Sequence, residues 1–260
     1  MSIRDLYASF DEKELRAQFE VDGYVVLRKF FAEDEMQKLL ANLDRFVREV
    51  VPFLSRETVF YEDRNVASTL KQVQQLGQHD PWFDGLLLDG RLRSLAETLL
   101  SATVVPMNLQ YFNKPPQIGL LTPPHQDGYY FKLEPSDAVT MWLALDEVDE
   151  ENGCVRYVKG SHKRGMRDHA RTQTLGFSQG IVDYPSEPDK KFEVAETAQP
   201  GDLLVHHALT IHRADGNHSP SRNRRALGFV YYSKNAREDT GARAAYQQKL
   251  ADEMKAAGKI

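Results

Sequence analysis

The chain of 260 residues has a single cysteine, Cys154, so it can form neither an intramolecular disulfide framework nor a cysteine-rich zinc module. The setting, Asn152-Gly153-Cys154-Val155, reads as the start of a strand, where a thiol is buried and inert. No apolar run is long enough to span a bilayer, and Met1-Ser2-Ile3-Arg4-Asp5 soon meets acidic residues without the apolar core of a signal peptide. A cytoplasmic protein is expected. Positive charge is also scarce: 33 Lys and Arg against 38 Asp and Glu leave a formal charge of −5, with the two signs interspersed. That pattern offers no basic footprint for nucleic acid or an anionic membrane, so the expected partner is a small molecule. Internal repeats and low-complexity tracts are absent as well.

What is present is an ordinary globular composition, 41% apolar and 27% charged, and enough length to bury a substantial core in a single domain, 1–260. Residues 1–102 read as mostly helical, packing on the rest. Leu15, Phe19 and Val21 mark an amphipathic helix from Asp11 to Glu20, which Gly23 stops before a short strand, Tyr24-Val25-Val26-Leu27. An acidic start at Glu33-Asp34-Glu35 opens a second helix, which carries Met36, Leu39, Leu40, Leu43, Phe46, Val47 and Val50 on one side and which Pro52 ends. A third runs from Arg91 to Ser101 on Leu92, Leu95, Leu99 and Leu100. From 103 to 235 the texture changes to short β-prone runs, Val104 to Phe112, Ala138 to Leu145, Cys154 to Val158, Leu203 to His206 and Arg225 to Tyr232, separated by Pro, Gly, Asn and Asp. Mainly β with flanking helices, and a double-sheet jelly roll as the core, is the economical fold class. The polar stretch 161–199 interrupts the strands as a long insertion with the character of a lid or binding loop, and 240–258 reads as a terminal helix.

Chemistry concentrates at Pro124-His125-Gln126-Asp127-Gly128. Two residues apart on a strand, His125 and Asp127 point to one face and can share an ion. A third donor is needed from the C-terminal half, where His206, His207, His212 and His218 compete. His212 is chosen because it follows Ile211 at the start of a strand-like unit. His206 and His207 are adjacent and cannot both face inward, so these two and His218 read as polar turn or surface residues. Two imidazoles and a carboxylate form the donor set of a non-haem Fe(II) centre with open positions.

The motifs Asn113-Lys114-Pro115-Pro116, His125-Gln126-Asp127, Pro135-Ser136-Asp137, Trp142, Glu151-Asn152-Gly153-Cys154, Gly160-Ser161-His162, Pro200-Gly201-Asp202 and Ile211-His212 resemble, in order, those of the phytanoyl-CoA dioxygenase family of Fe(II)/2-oxoglutarate oxygenases. The resemblance runs from about Asp22 to about Tyr232 and implies a double-stranded β-helix (jelly roll, cupin-like) that holds Fe(II) through His125, Asp127 and His212. It implies 2-oxoglutarate and dioxygen as cosubstrates and an Arg beyond the second His that grips the far carboxylate. Of Arg222, Arg224 and Arg225, Arg224 fits the family pattern best. Its interval from His212 is one residue longer than in the family, which keeps Arg225 in competition. By the same resemblance Lys71 meets the 1-carboxylate, Gln110 and Trp142 face the cosubstrate, and Thr140, on the strand face of Trp142, donates a hydroxyl to it. Ala214 departs from a Ser often found two residues after the distal His. Related halogenases replace the carboxylate ligand with a small residue, so Asp127 implies hydroxylation of an unactivated C–H, with succinate and CO2 as coproducts. Tyr129, Tyr130, Phe131, Lys132 and Arg213 suggest an aromatic wall with one or two cations for an acidic or partly apolar substrate. The alternatives are a non-catalytic metal-binding protein and a cupin-like metalloenzyme that needs no 2-oxoglutarate.

Overall fold

The computed structural model describes residues 11–172 and 179–241, with 244, 245 and 248. Helix α1, Glu12–Asp22, starts where the Asp11 carboxylate accepts from the amides of Lys13 and Glu14 at 2.8 and 3.2 Å. It ends at Gly23, which glycine alone suits: φ is +80°, and a Cβ there would lie 2.3 Å from His162 Nδ1. Strand β1, Tyr24–Leu27, leads into α2, Glu33–Glu49, whose three acidic first-turn residues sit at the positive end of the helix dipole. Strands β2, Val59–Tyr61, and β3, Leu70–Val73, precede the short helices α3, Leu76–His79, and α4, Pro81–Leu87, and then α5, Gly90–Leu100.

The strands of the core are β4, Val104–Phe112, and β5, Thr122–His125; then, after the single helical turn α6, Gly128–Phe131, come β6, Leu133–Glu134, β7, Ala138–Ala144, and β8, Val155–Val158. A hairpin of β9, His169–Arg171, and β10, Gln179–Ile181, is followed by α7, Glu187–Phe192, and β11, Glu193–Glu196. Strands β12, Leu203–His207, β13, His212–Ala214, β14, Ala226–Ser233, and β15, Arg237–Glu238, complete the described elements. They form an antiparallel seven-stranded sheet, β1-β12-β7-β14-β4-β3-β2, and a four-stranded one, β11-β8-β13-β5; β15 pairs with β6.

Alternation within the central strands sorts the two faces of the large sheet. Val139, Met141, Leu143, Leu203, Val205, Leu227, Phe229 and Tyr231 share one apolar cluster with Met36, Leu39, Leu43 and Phe46 of α2 and Leu92, Leu95 and Leu99 of α5. The opposite parity, including Thr140, Trp142, Leu204 and His206, turns to the interior with Tyr157 of the small sheet. Buried on both faces, β7 and β14 read in the sequence as nearly continuous apolar runs.

Two features extend the sequence expectation. The largely helical first hundred residues contribute β1 to one edge of the large sheet and β3 with β2 to the other. The stretch 161–199 ends in β11, which pairs with β8 as the edge of the small sheet, so part of it belongs to the core. The helix expected at 240–258 lies largely outside the described residues. Among the described residues, no helix is long and apolar enough to cross a membrane.

Phe46 is fully buried with its ring edge-on to Phe83, centroids 5.2 Å apart, at the joint between α2 and α4. Phe46→Ala is expected to lower unfolding free energy by about 3–5 kcal/mol in urea titration, whereas Phe53→Ala, at a side chain 87% exposed, leaves the midpoint unchanged.

Candidate active site

Between the sheets, His125 and His212 face each other across the β5–β13 ladder as register partners, with ring centroids 4.1 Å apart. Each Nδ1 lies against a backbone carbonyl, Pro123 O at 2.8 Å for His125 and Thr210 O at 3.0 Å for His212. A carbonyl only accepts, so the ring proton sits on Nδ1 and each neutral ring turns the bare Nε2 to the centre.

Asp127 completes the group, but not by the geometry expected from a strand. Strand β5 stops at His125, and Asp127 has helical φ and ψ of −59° and −34° at the head of α6, where its carbonyl accepts from the amides of Tyr130 and Phe131. The turn of the chain, not strand alternation, brings the carboxylate back beside the imidazoles. Asp127 Oδ1 lies 3.5 Å from His125 Nε2 and 3.8 Å from His212 Nε2, and the donor atoms of all three residues fall within 4.8 Å of one another. An ion about 2 Å from each donor fits that spacing.

Burial pushes the Asp127 carboxyl up, but the neighbouring imidazoles, His212 first and then His125 and His206, outweigh it and hold the group well below the usual carboxylate range. Burial, then the neighbouring His125 and His206, push His212 well down. An ionised carboxylate facing imidazole nitrogens that carry no proton is the arrangement a divalent cation requires.

The other oxygen, Oδ2, accepts from Thr140 Oγ1 at 2.5 Å and from His206 Nε2 at 3.1 Å. Two sequence expectations are corrected here. Thr140, expected to give its hydroxyl to 2-oxoglutarate, gives that proton to Asp127. His206, read as a turn or surface residue, is 3% exposed and points into the site. Only one of the adjacent His206 and His207 faces inward, as strand alternation requires; His207 lies on the opposite side of β12 against Phe19. Gln126 was also missed: fully buried, it donates to the carbonyls of Gly165 and Leu209 and accepts from the Arg167 amide, tying the His125–Asp127 turn to the chain leading into β9 and to the bend before His212.

A cavity of about 720 Å³ runs from this centre to the surface. Of the three competing arginines, Arg225 is locked on Asp146, with contacts of 2.7 to 3.1 Å, and Arg222 pairs with Asp149 and Glu151. Arg224 is 5% exposed, lines the cavity, stacks 5.3 Å from the centroid of the Trp142 ring and, among the described residues, has no carboxylate partner. Its Nε has no hydrogen-bond partner among the described residues. Burial lowers its pKa to about 10, so it remains a cation at neutral pH.

The remaining predicted residues sit on the same wall. Gln110 is two strands from Trp142, joined to it through Gly228 in the β4–β14–β7 ladders, and accepts from Gln72 Nε2 at 3.0 Å. Lys71 is on β3, buried, in an ion pair at 3.0 Å with Glu62 that lacks hydrogen-bond alignment. Lys114, not singled out from the sequence, is equally buried; its Nζ donates to the Leu120 carbonyl, and burial, then the charges of Arg224 and Lys71, push its pKa well down. Arg213, expected as a free cation for substrate, is bidentate to Glu193 and bonded to Asp215. Ala214 is buried and lines the cavity without offering a polar side-chain atom.

Comparison with known proteins places these observations. The phytanoyl-CoA dioxygenase (PhyH) family model matches residues 19–226. The peroxisomal phytanoyl-CoA dioxygenase of Mus musculus is 27% identical over 223 residues, covering 78% of this chain and 63% of that protein, so the chain spans just under two thirds of that relative's length. A probable alpha-ketoglutarate-dependent hypophosphite dioxygenase of Stutzerimonas stutzeri is 27% identical, covering 81% and 75%. Among solved structures, the non-heme alpha ketoglutarate dependent carbocyclase SnoK from nogalamycin biosynthesis superposes with a TM-score of 0.68 at 25% identity, covering 88% of this chain and 86% of that one. EctD from S. alaskensis, solved with 2-oxoglutarate and 5-hydroxyectoine, has a TM-score of 0.71 at 23% identity over 87% and 77%, a likeness of fold. The fold is the double-stranded β-helix with flanking helices. With four fifths of its length matched by the family model, the chain belongs to the phytanoyl-CoA dioxygenase family.

Proposed function

We propose that the protein is an Fe(II)- and 2-oxoglutarate-dependent dioxygenase that hydroxylates an unactivated C–H bond of a small molecule. The observation that carries this reading is the buried guanidinium of Arg224, without a carboxylate partner among the described residues, in the same cavity as the His125, Asp127 and His212 donors. A desolvated cation at the end of a cavity is costly unless an anion meets it, and a planar guanidinium suits a carboxylate bidentately. A dicarboxylate with one end at the metal donors and the other at Arg224 satisfies both.

His125, Asp127 and His212 would hold iron; bound there, it supplies the oxidative chemistry that turns dioxygen and 2-oxoglutarate into succinate, CO2 and an activated oxidant. The chain's own part is binding and exclusion. Arg224 fixes the remote carboxylate, with the Trp142 ring limiting the rotation of the guanidinium. Gln110 and Gln72 hold each other on the adjoining strands and give that wall a fixed polar surface. Lys71 is taken up by Glu62, which leaves it as an electrostatic neighbour of the cosubstrate rather than its main clamp. On the substrate side, Tyr130 is held by its hydroxyl on the Gln179 carbonyl at 2.8 Å and Phe131 by packing on Tyr232. With Arg213 neutralised by two carboxylates, this wall favours an uncharged or partly apolar substrate over an acidic one. The histidine His206 near the triad is the feature that favours a cupin-like enzyme without 2-oxoglutarate. Its Nε2 faces Asp127 Oδ2, and such an enzyme gives no use for Arg224.

Two measurements test the reading. In anaerobic calorimetry with Fe(II) bound, Arg224→Ala is expected to weaken 2-oxoglutarate binding by at least about 2 kcal/mol, roughly 30-fold, while Arg225→Ala leaves that affinity intact; equal affinity in wild type and Arg224→Ala would assign the clamp elsewhere. Asp127→Ala is expected to abolish stoichiometric Fe(II) binding and, with it, succinate formation from 2-oxoglutarate. Retention of turnover in that variant contradicts the proposed donor set.

A further inference from the structure

We infer that His206, backed by Tyr157, is a positioning residue that fixes the Asp127 carboxylate so that Oδ1 alone is offered to the metal; this rests on the metal-centre reading above. The two oxygens of Asp127 lie in different surroundings. Oδ1 faces the two Nε2 atoms of His125 and His212. Oδ2 is met by two donors, Thr140 Oγ1 and His206 Nε2. An ionised carboxylate only accepts, so His206 carries its proton on Nε2. The other ring nitrogen, Nδ1, lies 3.1 Å from the Tyr157 hydroxyl. Tyr157 is fully buried and, among the described residues, its hydroxyl has no other hydrogen-bond partner, so it donates to Nδ1. The proton directions along Tyr157, His206 and Asp127 are therefore fixed at both ends.

The backbone places these donors with the same economy. His206 and Thr140 are register partners across β12 and β7 of the large sheet, so both reach Oδ2 from one side. Tyr157 and His212 are register partners across β8 and β13 of the small sheet. The relay thus crosses the gap between the sheets, and the Tyr157 ring is in turn stacked on Tyr24, centroids 4.4 Å apart. With Oδ2 occupied by two hydrogen bonds, the carboxylate cannot swing to chelate an ion through both oxygens without breaking them. Ligation through one oxygen keeps an additional coordination position for the cosubstrates, which a His, Asp, His face must supply.

The test uses the full chain and Fe(II). In His206→Phe, anaerobic Fe(II) affinity is expected to fall about 10- to 100-fold, the usual consequence of losing a hydrogen bond that orients a metal ligand, and the visible charge-transfer band of the Fe(II)·2-oxoglutarate complex is expected to shift. His206→Gln, whose amide can reach Oδ2, is expected to restore most of both. Tyr157→Phe, which removes one oxygen, moves both in the same direction by less and stands in if His206→Phe does not fold. His207→Gln, on the far face of the same strand, leaves both unchanged. Wild-type affinity and an unshifted band in folded His206→Phe, or in Tyr157→Phe where it stands in, would overturn the inference while leaving the metal centre intact. Failure of the wild type to bind Fe(II) overturns the metal centre and the inference together.

Discussion

Keeping a carboxylate ionised away from water requires that both its oxygens be met, and the interior between the two sheets is arranged around that requirement at Asp127. Thr140 and His206 satisfy Oδ2 from the large sheet. On the other side, two imidazoles whose Nδ1 protons go to Pro123 and Thr210 carbonyls turn lone pairs toward Oδ1. Lone pairs and an anionic oxygen converging at one point are the donor arrangement that a divalent cation completes. The fold accordingly spreads the means of holding that carboxylate over both sheets.

Arg224 presents the opposite sign of the same problem a short way along the cavity. Arg222, Arg225, Arg213 and Lys71 all have carboxylate partners, and the contrast with Arg224 is what gives it meaning. A guanidinium on an aromatic face is held in place without being neutralised. Anionic donors at one end and an uncompensated cation at the other make a polarised slot, and a small ligand with a metal-binding end and a free carboxylate end fits it in one orientation only.

The sequence was most legible where burial is two-sided or periodic. Val104–Phe112 is a strand with both its expected ends, and α2 and α5 fully bury Met36, Leu39, Leu43, Phe46, Leu92, Leu95 and Leu99 of the stripes that the 3.6-residue period singles out, with Leu40, Val47, Val50 and Leu100 half-buried at the margin. Less legible were features decided by partners distant in the chain. Alternation in Leu203–His207 says that Leu204 and His206 share a face but not which face lies toward the site; that phase comes from α2 and α5 covering Val205 and Leu203. Lys71 sits in a polar stretch with no period, and pairing of its segment with β2 and β4 makes it a strand residue. Arg224 and Arg225 are neighbours in sequence, and what separates them is Asp146, far upstream, which captures one of them. The chain turn that lifts Asp127 off β5 likewise depends on the Gly128 amide reaching the Ala208 carbonyl at 2.9 Å.

Register divides the site into a fixed part and an adjustable one. Across the large sheet, His206, Thr140, Val230 and Asn108 form one row, and Leu204, Trp142, Gly228 and Gln110 the next. Glycine is needed in the second row, since a Cβ on Gly228 would come within 2.8 Å of the Phe112 ring. A one-residue slip of any central strand would turn its entire row to the helices, so residues serving the metal centre and Arg224 cannot be altered piecemeal. The substrate wall is built differently: Tyr130 and Phe131 belong to the single turn α6, and Tyr130 is anchored on the 161–199 stretch through Gln179. Sequence change there can reshape what the cavity admits while leaving the register of the rows behind Asp127 and Arg224 in place, which is how one scaffold can keep one set of buried polar groups while exchanging what the cavity takes.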